Sequence, residues 1–244
     1  MTELSNLLPR SLYVFLDFDG TLVSLADTPD SIVVPDELNG VLADLHQRLN
    51  GRLAIVSGRE VSQIERFLPD FPGDIFGAHG AEARIDGALR RHRLVGSDIV
   101  ADAQARARSL TDSDPDLLLE LKDTGAVVHY RATPQKGDQV KAALQDIVDD
   151  HGDLVLHASK MAWEMRPADA TKAAAVQHLM QGQPDTIRPV VIGDDVTDEE
   201  AMAVAHQMNG VCIKIGTGDT SAQHRLDGPS ELHALLRIWS AGDV

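Results

Sequence analysis

Three short apolar runs stop abruptly at polar residues, and they fix what this chain can fold into. Leu12-Tyr13-Val14-Phe15-Leu16 runs into Asp17, Arg52-Leu53-Ala54-Ile55-Val56 into Ser57-Gly58, and Pro189-Val190-Val191-Ile192 into Gly193-Asp194. Apolar at consecutive positions and bounded by polar or Gly-rich turns, such runs read as strands buried on both faces, the habit of parallel sheets. Between the first two lies Pro35 to Leu49, with Leu38, Val41, Leu42, Leu45 and Leu49 at helical spacing. Pro35 and the acids Asp36-Glu37 suit a first helical turn. Strand, helix, strand predicts βαβ units, hence an α/β fold with a parallel sheet and helices on both faces.

The middle of the chain has another rhythm. Ser97 to Leu110 is Ala-rich and helical, and Leu117 to Lys122 and Val127 to Arg131 flank Asp123-Thr124-Gly125 as a hairpin. Gln139 to Val148 is helical again, and Leu154 to Leu156 and Met161 to Glu164 read as a second strand pair. This αββαββ order predicts a small α+β domain inserted into the larger one. No Pro/Ser-rich linker separates the two, so the insertion is expected at residues 95–167, with 1–94 and 168–244 forming the core.

Charge excludes several classes of partner. The 244 residues carry 38 acidic and 22 basic side chains, a net −16, and no long run of Lys or Arg suggests a basic patch. Nucleic acid and anionic membrane surfaces are therefore not expected partners, and nothing points to a protein partner. Cys212 is the single cysteine, which excludes an internal disulfide and a Cys-cluster metal site. Met1 to Arg10 lacks a basic stretch followed by an apolar run. No segment approaches the ~18–20 apolar residues that cross a bilayer. The cytoplasm is the expected compartment.

Chemistry concentrates where the apolar runs end. Ligands of an open parallel sheet bind at the strands' carboxyl ends. The three ends deliver Asp17-Phe18-Asp19-Gly20-Thr21, Ser57-Gly58-Arg59 and Gly193-Asp194-Asp195-Val196-Thr197-Asp198. Crowded carboxylates call for a cation, and a hard divalent ion with oxygen ligands, most simply Mg²⁺, answers that need. Gly20 and Gly58 let backbone N–H groups approach an anion. Thr21 and Ser57 add hydroxyl donors, Lys172 a full positive charge, and Arg59 a second. These are the parts of a phosphoryl-transfer site, with Asp17 as nucleophile and Asp19 for proton transfer.

Asp17-Phe18-Asp19-Gly20-Thr21-Leu22, Ser57, Lys172 and Gly193 to Glu199 resemble, in order, the four motifs of the haloacid dehalogenase superfamily. Ser57-Gly58-Arg59, Gly77 to Glu82, Leu119 to Lys122, His129-Tyr130-Arg131, Trp163 to Pro167 and Ile213 to Gly218 are similar to the trehalose-6-phosphate phosphatases within it. The resemblance spans roughly residues 12–237. It implies Mg²⁺ held by Asp17, the carbonyl of Asp19, and Asp194, with Asp198 orienting its waters. It also implies phosphoryl oxygens held by Ser57 and Lys172. The insert would be a cap whose Glu120, Lys122 and Glu164 bind glucose hydroxyls. Ala173 stands where the family usually has Gly. A phosphatase for another sugar phosphate such as sucrose 6-phosphate, a hexose-phosphate mutase, and a non-catalytic sugar-phosphate sensor stay open as alternatives. Asp19 and Lys172 together weigh against the sensor.

Overall fold

The computed structural model describes residues 4, 7, 11–26, 28 and 30–241. Met1 to Arg10, read above as carrying no leader, lies outside the described residues apart from Leu4 and Leu7. Two compact units are present, Met1–Arg90 with Thr171–Val244, and Arg91–Ala170. The first begins with β1 (Leu12–Leu16), α1 (Leu38–Arg48), β2 (Leu53–Val56), α2 (Val61–Phe67), β3 (Asp74–Gly77), β4 (Glu82–Ile85) and β5 (Ala88–Arg91). The second is α3 (Asp98–Asp112), β6 (Leu118–Lys122), β7 (Gly125–His129), α4 (Gly137–Asp150), β8 (Leu154–Ser159) and β9 (Ala162–Pro167). The first then resumes with α5 (Lys172–Met180), β10 (Arg188–Gly193), α6 (Val196–Gln207), β11 (Val211–Ile215), β12 (His224–Leu226) and α7 (Pro229–Ala241).

The first unit is an eight-stranded sheet in the order β12-β11-β10-β1-β2-β3-β4-β5. From β12 through β3 every neighbouring pair is parallel. Side chains alternate across each strand, so the apolar runs feed two cores. Leu12, Val14 and Leu16 join Leu38, Leu42, Leu45, Ile64 and Leu235 on one face. Tyr13 and Phe15 join Val176, Met202 and Ala205 on the other. Helices therefore cover both faces, as the consecutive apolar positions require.

The sheet is extended beyond the sequence-based expectation by an antiparallel edge. β4 pairs antiparallel with β3, and Asp86-Gly87, both at positive φ, turns the chain into β5. All four residues of β5 are exposed, so no apolar pattern marks this strand.

In the second unit an antiparallel sheet runs β6-β7-β9-β8. Val100, Ala103 and Ala107 of α3 and Val140, Leu144 and Ile147 of α4 form a core with Ala126, Val128 and Met165. Gly125, the first residue of β7, has no room for a side chain, since a Cβ there would lie 1.9 Å from the Met165 carbonyl oxygen. Among the described residues no helix is long and apolar enough to cross a membrane.

Candidate active site

β1 lies between β10 and β2. The parallel register therefore brings the residues just past these three strands to one edge of the sheet. The Asp17 amide still donates to the Ile192 carbonyl at 2.9 Å. The chain then turns tightly, with the amides of Leu22 and Val23 both donating to the Phe18 carbonyl. Gly20 sits in this turn at φ +75, and a Cβ on it would stand 2.1 Å from Oδ2 of Asp194. Both the conformation and the close approach demand glycine. Next to it the Thr21 hydroxyl donates to Oδ1 of Asp194 at 3.3 Å.

At the end of β2, the Ser57 amide donates to the Phe76 carbonyl at 2.8 Å, and its hydroxyl oxygen accepts from the Arg59 amide at 3.1 Å. A Cβ on Gly58 would lie 2.7 Å from the His79 ring, so that imidazole packs directly beneath this turn. His79 itself is held at φ 58 and donates its amide to the Ser57 carbonyl. The Arg59 guanidinium forks onto Asp19, Nε to Oδ2 at 2.6 Å and Nη2 to Oδ1 at 2.7 Å.

Lys172 opens α5 behind Thr171, whose hydroxyl caps the helix by accepting from the Ala174 amide at 3.0 Å. Ala173 thus occupies an ordinary helical position, where Ala is the stronger helix former. From the helix start the Lys172 ammonium donates to Oδ1 of Asp17 and to Oδ1 of Asp198, each at 2.7 Å. Asp195 caps α6, and Asp198 in its first turn accepts from the Asp195 amide at 3.0 Å.

Carboxylate oxygens of Asp17, Asp194 and Asp198 lie within 4.8 Å of one another. Burial pushes the Asp17 carboxyl up to about 6 against the pull of Lys172. Burial, with the Asp17 charge added, pushes Asp198 up to about 7. Asp194 is raised as well, chiefly by burial. Burial alone would lower Lys172, but the Asp17 and Asp198 carboxylates overcome it and hold the ammonium above its usual range. Two buried acids and the half-buried Asp194 gathered around one ammonium leave negative charge uncompensated. The all-oxygen donor set fits a hard divalent ion. The Asp19 carboxylate stands apart from this cluster, on Arg59.

Within the second unit Glu120, Val127 and Glu164 are directly opposed across β6, β7 and β9, so they share one face of the sheet. Lys122 joins them, its ammonium 3.6 Å from Glu164 and 3.8 Å from Glu120. His129 contacts Glu120 at 3.0 Å.

Two groups carry weight that the sequence reading did not assign. Lys214 is buried in β11 and its ammonium donates to the Asp194 carbonyl. A lysine between Ile213 and Ile215 in a covered strand was the available signal. Glu199 accepts from the Thr220 hydroxyl at 2.7 Å and from the Ser221 amide and hydroxyl at 2.9 and 2.8 Å, fastening the loop after β11 to α6.

Comparison with known proteins agrees with this arrangement. Residues 15–231 match the family described as trehalose-phosphatase. The chain is 34% identical over 227 residues to the trehalose-6-phosphate phosphatase of Escherichia coli (strain K12), covering 92% of this chain and 85% of that one. It is similar to the crystal structure of a trehalose-6-phosphate phosphatase related protein, at 25% identity and a TM-score of 0.76, over 95% of this chain and 97% of that one. A haloacid dehalogenase-like hydrolase from Bacteroides thetaiotaomicron shares the fold at 15% identity and a TM-score of 0.69, over 95% of this chain and 98% of that one.

Proposed function

The chain belongs to the trehalose-phosphatase family, and from that premise we propose that it hydrolyses trehalose 6-phosphate to trehalose and inorganic phosphate. One observation carries the reading: the Lys172 ammonium lies 2.7 Å from both Asp17 and Asp198 at the carboxyl edge of a parallel sheet. A cation fixed on a carboxylate at that edge is what a nucleophile facing a phosphate requires.

Asp17 attacks phosphorus and becomes an aspartyl-phosphate as the sugar oxygen departs. Asp19 gives that oxygen a proton, then takes one from the water that hydrolyses the intermediate. Ser57 and Lys172 hold phosphoryl oxygens, and the backbone at Gly20, Thr21 and Gly58 supplies further donors. Asp17, Asp194 and the Asp19 carbonyl would hold Mg²⁺, with Asp198 orienting its waters, and the ion when bound would offset charge on the transferring oxygens. Residues 95–167 set substrate specificity, and 1–94 with 168–244 carry the chemistry. In that unit Glu120, Lys122 and Glu164 bind sugar hydroxyls, with the hydrogen-bonding types a polyhydroxyl ligand needs.

The test is phosphate release from trehalose 6-phosphate, sucrose 6-phosphate and glucose 6-phosphate under one condition. Trehalose 6-phosphate is expected to show the highest kcat/KM. Preference for either other ester would overturn the substrate assignment. Tight binding without release from any ester would indicate a sensor instead.

A further inference from the structure

Arg59 makes two short side-chain contacts to Asp19, and the geometry restrains both partners. A planar guanidinium meeting both carboxylate oxygens fixes the position of the carboxyl and its rotation about Cβ–Cγ. The fork is itself braced. Its carbon lies 5.7 Å from the Phe18 ring centroid and 5.3 Å from that of Phe67, and the two rings are 6.2 Å apart. Such ring faces attract a guanidinium and limit its tilt. Phe18 is fully buried in the turn between Asp17 and Asp19, and Phe67 is the last residue of α2. Arg59 is only 10% exposed whereas Asp19 is 32% exposed. The carboxyl is therefore the partner open to an incoming molecule, and the guanidinium is the support behind it.

We propose that Arg59, braced by Phe67, is a positioning residue that aims the Asp19 carboxyl for proton transfer and does not itself contact the substrate. The proposal rests on the phosphatase reading above. As a carboxylate oxygen of Asp17 bonds to phosphorus and the P–O bond to the leaving group breaks, the electron pair of the broken bond goes to the bridging oxygen and the Asp19 proton moves to that oxygen. Asp19 is left as a carboxylate against the guanidinium. In the second step water bonds to phosphorus and returns a proton to Asp19, while the P–O bond to Asp17 breaks. Positioned proton transfer is worth about 10²–10⁴-fold, and only poor leaving groups need it on departure.

The test measures kcat/KM for small phosphate monoesters without a sugar, from nitrophenyl to simple alkyl esters. That quantity reports leaving-group departure and not the later hydrolysis. Arg59→Lys should lose about tenfold or more on alkyl esters and less than about twofold on nitrophenyl phosphate. Phe67→Leu should show the same pattern at about threefold. Phe67→Tyr, which keeps the ring face at a half-buried position, should retain the unaltered leaving-group slope. An equal loss on all esters would show that Arg59 holds the phosphoryl group. A loss confined to trehalose 6-phosphate would show that it contacts sugar. Either result overturns the proposal, as does an unchanged slope in both Arg59→Lys and Phe67→Leu. Should Arg59→Lys fail to fold, the Phe67 pair decides. If the unaltered chain releases phosphate from no ester, the phosphatase reading falls first and this proposal with it.

Discussion

Lys172 and Asp17 stand 155 residues apart in sequence and 2.7 Å apart in space, both buried. A whole second unit lies between them in sequence, yet β1 and β10 lie side by side and α5, which carries Lys172, leads directly into β10. The fold thus fixes the cation on the carboxylate, and on the phosphatase reading this is the pre-organisation that electrostatic catalysis depends on.

That buried charge cluster makes stability depend on pH. Burial lifts Asp17 to about 6 and Asp198 to about 7, above the ordinary 3.8. Between about pH 4 and 7 the folded state therefore holds more protons at these groups than the unfolded state, and their contribution to stability falls as pH rises. Asp198→Asn removes one such group. In chelator, urea unfolding should show the unaltered chain losing stability relative to Asp198→Asn as pH rises from about 5 to about 7.5. Parallel pH profiles, or a relative gain, would contradict the cluster's electrostatics.

Gly20 should tolerate no side chain. At φ +75 an L-residue is strained by roughly 1–2 kcal/mol, and the added Cβ would collide with Asp194. Mg²⁺ is expected to raise the thermal midpoint of the unaltered chain, and Gly20→Ala to lower that midpoint and blunt the rise. An unchanged response to Mg²⁺ would mean that Asp194 is not part of the ion's site.

Cys212 is fully buried in β11, and its thiol donates to the Met202 carbonyl at 3.4 Å. Burial pushes this thiol up to about 12 with the Glu199 charge adding to it, so no thiolate forms at neutral pH. A thiol reagent at about pH 8 should label the chain only after denaturant is added, as intact-mass measurement would record. Labelling of the folded chain would show that the strand opens.

Glu120 offers the sugar test. If its carboxylate binds a hydroxyl, Glu120→Ala should lower kcat/KM for trehalose 6-phosphate by about tenfold, the loss of one charged hydrogen bond. Nitrophenyl phosphate, which has no sugar, should be spared. Equal losses on the two esters would remove Glu120 from the sugar contacts.

Parts of this structure were legible from the chain and parts were not, for physical reasons. The strands ending at Asp17, Ser57 and Asp194 could be read because a run covered on both faces must stop where the chain leaves the core. The αββαββ order of the second unit was readable from its alternation of helical and strand patterns. β4 and β5 were not read, since Glu82-Ala83-Arg84-Ile85 holds no continuous apolar run and β5 is wholly exposed. The Asp86-Gly87 turn was the clue that went unused. Side-chain pairing was the least legible layer. Arg59 meets Asp19 across 40 residues and Lys214 meets the Asp194 carbonyl across 20, and only sheet register brings such groups together. Arg59 read from sequence as a charge for the phosphate, whereas in space its fork is on a carboxylate.

The most direct measurement is phosphate release from trehalose 6-phosphate by chelator-treated protein, before and after Mg²⁺ is restored, with Asp17→Asn alongside. Release should be lost with the ion and return with it in the unaltered chain, while folded Asp17→Asn should release none under either condition. Release that persists without a divalent ion, or full activity in Asp17→Asn, would contradict the account.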